Sequence, residues 1–305
     1  MMQSVASMTS MIWIALVVLS IFFVYVLYRD IVRHRKVLEN VSTMKTSIIG
    51  FVVNFFDVLG IGAFAPQTAL LKFTRQTEDR VLPGTLNVAN TIPVLIQALI
   101  FIQLVEVEVV TLVSMLLSAT AGAVLGAGIV SRLAVKKIQI TMGIALLVTA
   151  FFMLAGQMDW IQGGGEAIGL SGWKLAVAVS VNFVLGAFMT VGIGLYAPCM
   201  ALVYALGLSP LVAFPIMMGS CAFLMPPASA KFIKEGAYNR KAALSMAIPG
   251  AIAVLIAALV VKSLPLHALR WVVIAVIIYT SAIMFRSAKQ KESITLTKQA
   301  SRQII

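Results

Sequence analysis

Charge is scarce in this chain. Of its 305 residues only 11% are Asp, Glu, Lys or Arg, against roughly a quarter in a soluble domain. Residues 175–230 contain none of the four. A surface meant for water cannot be built from that supply, so a soluble enzyme or soluble binding domain is excluded. Cysteine is nearly absent. Cys199 and Cys221 both lie in apolar surroundings, which suggests neither a disulfide scaffold nor a Cys-based metal site. The two histidines, His34 and His267, lack any ligand-like spacing. There is no Walker motif, so ATP is not hydrolysed on this chain. Asp57 is the only acidic residue deep in an apolar segment, and aspartyl protease chemistry needs two carboxylates sharing one proton. No enzyme activity, no metal and no cofactor is expected.

What is present is apolar: 61% of the residues are hydrophobic and the mean hydropathy is +1.02. Such a surface is made for the lipid bilayer. The apolar segments run over 11–28, 46–73, 81–104, 109–131, 138–156, 173–207, 210–230, 241–262 and 267–286. The first is read as a retained helix, because residues 1–10 carry no Lys or Arg and no small-x-small cleavage site follows. The sixteen methionines are scattered as gap-fillers rather than clustered for copper. A net charge of +12 comes from basic loops, which is the positive-inside pattern and calls for no nucleic-acid partner.

The loops then decide topology. Loop 29–45 holds Arg29, Arg33, Arg35, Lys36 and Lys45; loop 131–137 holds Arg132, Lys136 and Lys137; loop 231–241 holds Lys231, Lys234, Arg240 and Lys241. Loop 105–108 carries Glu106 and Glu108, and the Gly-rich stretch 157–172 carries Asp159 and Glu166 with no basic residue. If every segment crosses once, loops 131–137 and 231–241 fall on the wrong side. If segments 46–73 and 173–207 enter and return on one side, every basic loop and the tail fall inside and both acidic loops outside. That arrangement puts the N-terminus outside and the C-terminus in the cytoplasm.

Those two segments share a motif. Gly60-Ile61-Gly62-Ala63-Phe64-Ala65-Pro66 returns 132 residues later as Gly192-Ile193-Gly194-Leu195-Tyr196-Ala197-Pro198. Gly-x-Gly with a following Pro breaks a helix, and broken helices in matching positions of two halves point to a transporter's substrate site. Each half, a hairpin plus three spans, crosses an odd number of times, so the halves must be inverted. The expected fold is therefore an all-α polytopic membrane protein with two inverted repeats, each a re-entrant broken-helix hairpin plus three spans, and one extra N-terminal transmembrane helix. Its parts are the N-terminal helix and basic loop (1–45), repeat 1 (46–156), a Gly-rich extracytoplasmic linker (157–172), repeat 2 (173–286) and a basic cytoplasmic tail (287–305).

Unpaired backbone groups at a hairpin tip are tolerable only where they line a cavity. The N-termini of the helices after Gly62 and Gly194 would attract an anion there. Asp57 has three open readings: a proton carrier, a ligand for a coupling cation, or a cap holding the hairpin. Asn87 and Asn90 share a helix face, bent by Pro93. Asn54, Gln67 and Thr68 flank the first motif. Asn182, Thr190, Cys199, Ser220 and Cys221 are their counterparts, with Pro226-Pro227 expected at a helix end.

The run Asn54-Phe55-Phe56-Asp57-Val58-Leu59-Gly60-Ile61-Gly62-Ala63-Phe64-Ala65-Pro66, its echo at Gly192–Pro198 and the basic loops resemble the TauE/SafE family of sulfite and organosulfonate permeases, over about residues 46–286. The resemblance implies a bacterial plasma-membrane carrier for sulfite, sulfoacetate or related sulfur-containing anions. On this reading Gly60, Ile61, Gly62 and Ala63, with Gly192, Ile193, Gly194 and Leu195, grip the anion. Asn87, Asn90, Thr190 and Ser220 orient it, and Asp57 couples or gates transport with a proton or sodium ion as partner. The alternatives are a passive anion channel and a non-transporting protein that assists assembly or metal delivery.

Overall fold

A computed structural model describes residues 2–160, 165–192, 194–260 and 277–289, with Trp271, Ile274 and Ala275. In chain order its helices are α1 (Met2–His34), α2 (Thr43–Asp57), α3 (Phe64–Phe73), α4 (Leu82–Leu104), α5 (Val109–Val130), α6 (Val135–Gln157), α7 (Gly172–Met189), α8 (Tyr196–Ala205), α9 (Ala213–Lys234) and α10 (Arg240–Val260). Residues 277–289 are also helical. No named strand occurs among the described residues. Seven of these helices are long and apolar enough to cross a membrane. The molecule is a multi-pass membrane protein.

The two long segments that carry the motifs are each broken. α2 ends at Asp57 and α3 starts at Phe64; α7 ends at Met189 and α8 starts at Tyr196. The breaks follow from backbone geometry. Gly60, Gly62 and Gly192 have φ of +78°, +89° and +107°, a region that side chains disfavour and that ends a right-handed helix. α3 and α8 are ten residues each, about 15 Å long, half of a ~30 Å hydrocarbon core. Pro226 and Pro227 lie inside α9, not at its end, and packing around that helix holds it together across them. Most of the start of the last apolar segment, and the tail from residue 290, lie outside the described residues.

Hydrogen bonds gather the connections into two groups. In one, Ser42 N–H donates to Gln76 Oε1 at 2.8 Å, joining the two ends of the α2–α3 pair. Arg132 pairs with Glu235 at 2.7 Å, Arg240 with Asp30 at 2.7 Å, and Gln139 donates to Asp79 at 2.6 Å. This group contains the basic loops. In the other, Glu108 N–H donates to the Ile168 carbonyl at 2.8 Å and Ser209 N–H to the Ala167 carbonyl at 2.8 Å. Lys174 reaches the Leu206 carbonyl at 3.0 Å. The acidic connection, the linker and the far end of the α7–α8 pair are thereby joined.

α4 and α9 form the centre: 72% and 78% of their most apolar windows are buried, against 22% for α1 and α7. α4 packs on α9 and α10, α5 on α7 and α9, and α2 on α10. The closest approaches use small residues, as membrane helices do when lipid removes the hydrophobic drive. A Cβ on Gly50 would strike the Met246 backbone, and one on Gly186 the Ala119 carbonyl. α1 instead turns Met11, Ile14, Ile21 and Tyr25 outward.

Candidate functional site

The two breaks meet. Gly62, Ala63 and Phe64 from the first and Gly194, Leu195 and Tyr196 from the second line one small cavity, with Asp57, Val94, Met189 and Cys221. Its volume is about 10 Å³, room for about one water. A Cβ on Gly62 or on Gly194 would meet nothing within 4 Å, so at both positions the backbone borders open space. The first intrahelical bonds of α3 and α8 come from Gln67 N–H to Ala63 and Cys199 N–H to Leu195. The amides of Phe64, Ala65, Tyr196 and Ala197 therefore have no acceptor within their own helices, and Pro66 and Pro198 have no amide to offer.

Asp57 closes α2 and is 2% exposed. Its Oδ2 accepts from Gln97 Nε2 at 2.7 Å. Gln97 Oε1 in turn accepts from the Tyr196 hydroxyl at 2.7 Å. One chain of hydrogen bonds thus runs from the first break through α4 to the start of α8. This link from Asp57 to the opposite break was not expected from the sequence.

The remaining residues of interest stand around this centre. Asn90, fully buried on α4, donates to Gln67 and to the Leu86 carbonyl (2.8 Å), and accepts from Asn54 at 3.0 Å. It binds α2, α3 and α4 together and does not line the cavity. Asn87 turns its amide back to the Pro83 carbonyl at 2.9 Å, and its Oδ1 has no partner. Asn182 donates to Ser220 at 3.0 Å, the residue beside cavity-lining Cys221. Thr190 is the C-cap of α7 and donates to Ala187 at 2.6 Å. Ile61 is buried in the core, and Gly192 lies against Met142. Ile193 lies outside the described residues.

Gly60 borders a second cavity of about 280 Å³, lined also by Met200, Tyr204, Phe214, Phe152 and Asp159. Through Asp159 it belongs to the acidic side. A cavity of about 860 Å³ opens among the basic loops, where Lys72, Arg75, Arg80 and Arg240 mix with Asp79 and Glu39. Among the described residues no group of three metal-ligating side chains occurs.

Gln97 and Tyr196 were not singled out from the sequence. Gln97 follows Asn90 by seven residues, which returns to one helix face, and Tyr196 is the aromatic position of the repeated motif.

A bundle of apolar helices with two broken helices meeting at a buried polar centre defines a polytopic membrane protein of the broken-helix kind. Residues 174–305 match the sulfite exporter TauE/SafE family, which bears out the resemblance carried by the motifs. The matched stretch holds the second motif and runs past residue 286; the first motif lies outside it. No curated protein and no solved structure matches significantly.

Proposed function

We propose that this protein carries a small sulfur-containing anion (sulfite, sulfoacetate or a related organosulfonate) across a bacterial inner membrane by alternating access. The observation that carries the reading is the meeting of both Gly-x-Gly breaks at one cavity. Two helix N-termini supply amides and partial positive charge there without a buried Lys or Arg.

Several features support inverted repeats with re-entrant hairpins. The helix partners exchange consistently: α2 packs on α10 as α7 does on α5, and α5 packs on α9 as α10 does on α4. The polar pair Asn54–Asn90 has its counterpart in Asn182–Ser220. The ends of the α2–α3 pair are joined among the basic loops, and the start and end of the α7–α8 pair on the acidic side. With basic loops inside, the N-terminus is extracytoplasmic and the tail cytoplasmic.

A cavity of about 10 Å³ cannot admit a sulfonate, so the tips must part to bind it. The small central cavity and the packing of Met142 against Gly192 favour a state closed at the centre. A closed centre also argues for a carrier over a permanently open channel. An anion leaving a cell that is negative inside gains about 2.3 kcal/mol per charge per 100 mV, so export needs no pump. Uptake needs a cation, and Asp57 is the group to hold a proton.

The test is flux of labelled sulfite and a short organosulfonate into proteoliposomes under an imposed potential and pH gradient, comparing wild type with Asp57→Asn. Saturable flux showing counterflow is expected, with its pH-gradient dependence lost in the variant. Absence of flux for both anions would overturn the substrate class.

A further inference from the structure

Gln97 faces a carboxylate on one side and a phenol on the other, and an amide can serve only one donor–acceptor order at a time. As the structure stands, the Tyr196 hydroxyl proton is committed to Gln97 Oε1 and the Gln97 N–H to Asp57 Oδ2. This is the order that an ionised, acceptor-only carboxylate requires. Tyr196, which lines the cavity, then has its hydroxyl proton engaged by Gln97, and Asp57 adds a negative charge at the same wall. That state offers an anion no hydroxyl donor.

A proton taken up on Oδ2 reverses the order. Asp57 becomes a donor facing a donor, which is relieved when the Gln97 amide turns over. Oε1 then accepts from Asp57, and Nε2 donates to the Tyr196 oxygen. The Tyr196 proton is released from Gln97 and is free to point into the cavity it lines. One proton is bound, none leaves, and the cavity loses a charge and gains a donor in the same event.

We infer that Tyr196 is the side-chain donor offered to the anion, and that Gln97 is the positioning residue that ties this donor to the protonation of Asp57. This rests on the anion-carrier reading and adds to it a specific route for coupling. Cys221 turns its thiol to Met189 Sδ at 3.5 Å, which leaves the assignment to these three residues. The titratable side chains facing Asp57 across the cavity are Tyr196 of α8 and Cys221 of α9; α3, α4 and α7 bring Ala63 and Phe64, Val94, and Met189. α10, packed on α2, brings Val254 and Ala257 to the level of Val58. No Lys, Arg or His lines the cavity.

The test has a ligand-free arm and a ligand arm. Infrared difference spectra of the purified full-length protein are recorded between mildly alkaline and mildly acidic buffer. A protonated-carboxyl band absent from Asp57→Asn is expected, rising together with a tyrosine C–O shift absent from Tyr196→Phe. In Gln97→Leu the carboxyl band should remain while the tyrosine shift disappears. Tyr196→Phe removes only a hydroxyl and serves where Gln97→Leu fails to fold. A carboxyl band with no tyrosine change in wild type overturns the inference, as does a tyrosine shift that survives in Gln97→Leu. The second arm measures binding of methanesulfonate, whose charge is constant over this range. Affinity should rise on acidification, and Tyr196→Phe should weaken acid-side binding about tenfold, the scale of one hydrogen bond to a charged group. Equal affinity of Tyr196→Phe and wild type at both acidities would also overturn it. A coupled spectral change with no methanesulfonate binding would leave the relay standing and remove the sulfonate as substrate.

Discussion

Gly62 and Gly194 are 132 residues apart in the chain and border the same cavity, each with its backbone open to it. Gly62 has φ +89°, in the left-handed region that side chains disfavour.

Gly194→Ala, whose Cβ would meet nothing within 4 Å, should place a methyl at the cavity and reduce saturable flux at least tenfold. Gly62→Ala should lose flux and also about 1–2 kcal/mol from its left-handed backbone. Melting in detergent and flux in proteoliposomes, measured on the same preparations, check both. Normal transport by Gly194→Ala would remove the cavity from the path.

At the small-residue contact of α5 with α7, the expected effect is on folding alone. Gly186→Val would drive a side chain into the Ala119 carbonyl and should destabilise by several kcal/mol, at or beyond the usual range of about 1–3 for overpacking. Gly128→Val, where a Cβ meets nothing within 4 Å, should be tolerated. Expression level and melting temperature distinguish them.

The two amides of α4 should part company. Asn90→Ala strips partners from Asn54 and Gln67 and should cost about 1–3 kcal/mol, the penalty of buried polar groups left unpaired. Asn87→Ala removes one bond to its own helix and should cost about 0.6 kcal/mol or less. Thermal melts of the two variants check this. An equal loss would mean that the Asn54–Asn90–Gln67 network contributes no more than an isolated bond.

Alkali should loosen α1. Tyr238 donates to Asp30 at 2.6 Å, and Arg240 pairs with the same carboxylate at 2.7 Å. Burial first, then this hydrogen bond and the Asp30 charge, hold the Tyr238 phenol well above its usual value. A raised folded value means a contribution that is whole below the unfolded pKa of about 10 and falls away as pH rises above it. Alkaline melts should show that decline, and Tyr238→Phe should flatten it.

Much of the architecture was legible in the chain because lipid imposes simple rules. Length, hydropathy and the bias of Lys and Arg located the long helices, and Gly60, Gly62 and Gly192 marked the breaks because a left-handed backbone has few other occupants. Side-chain roles were less legible. Asn90 and Ser220, expected to orient a ligand, are engaged with Asn54, Gln67 and Asn182. Gln97 drew no attention, since an amide on an apolar helix shows its meaning only once its neighbours are known.

By itself, then, the sequence determined the solvent this protein folds in, the approximate positions of its long apolar helices, and where two of its apolar segments break. These depend on local composition and backbone freedom, which act over a few residues. Only the tertiary structure decided that the breaks meet and that Asp57, Gln97 and Tyr196 form one chain of hydrogen bonds. Those contacts join positions 40 and 99 residues apart. They exist because helices packed on small residues bring three separate turns to one depth, which no local rule encodes.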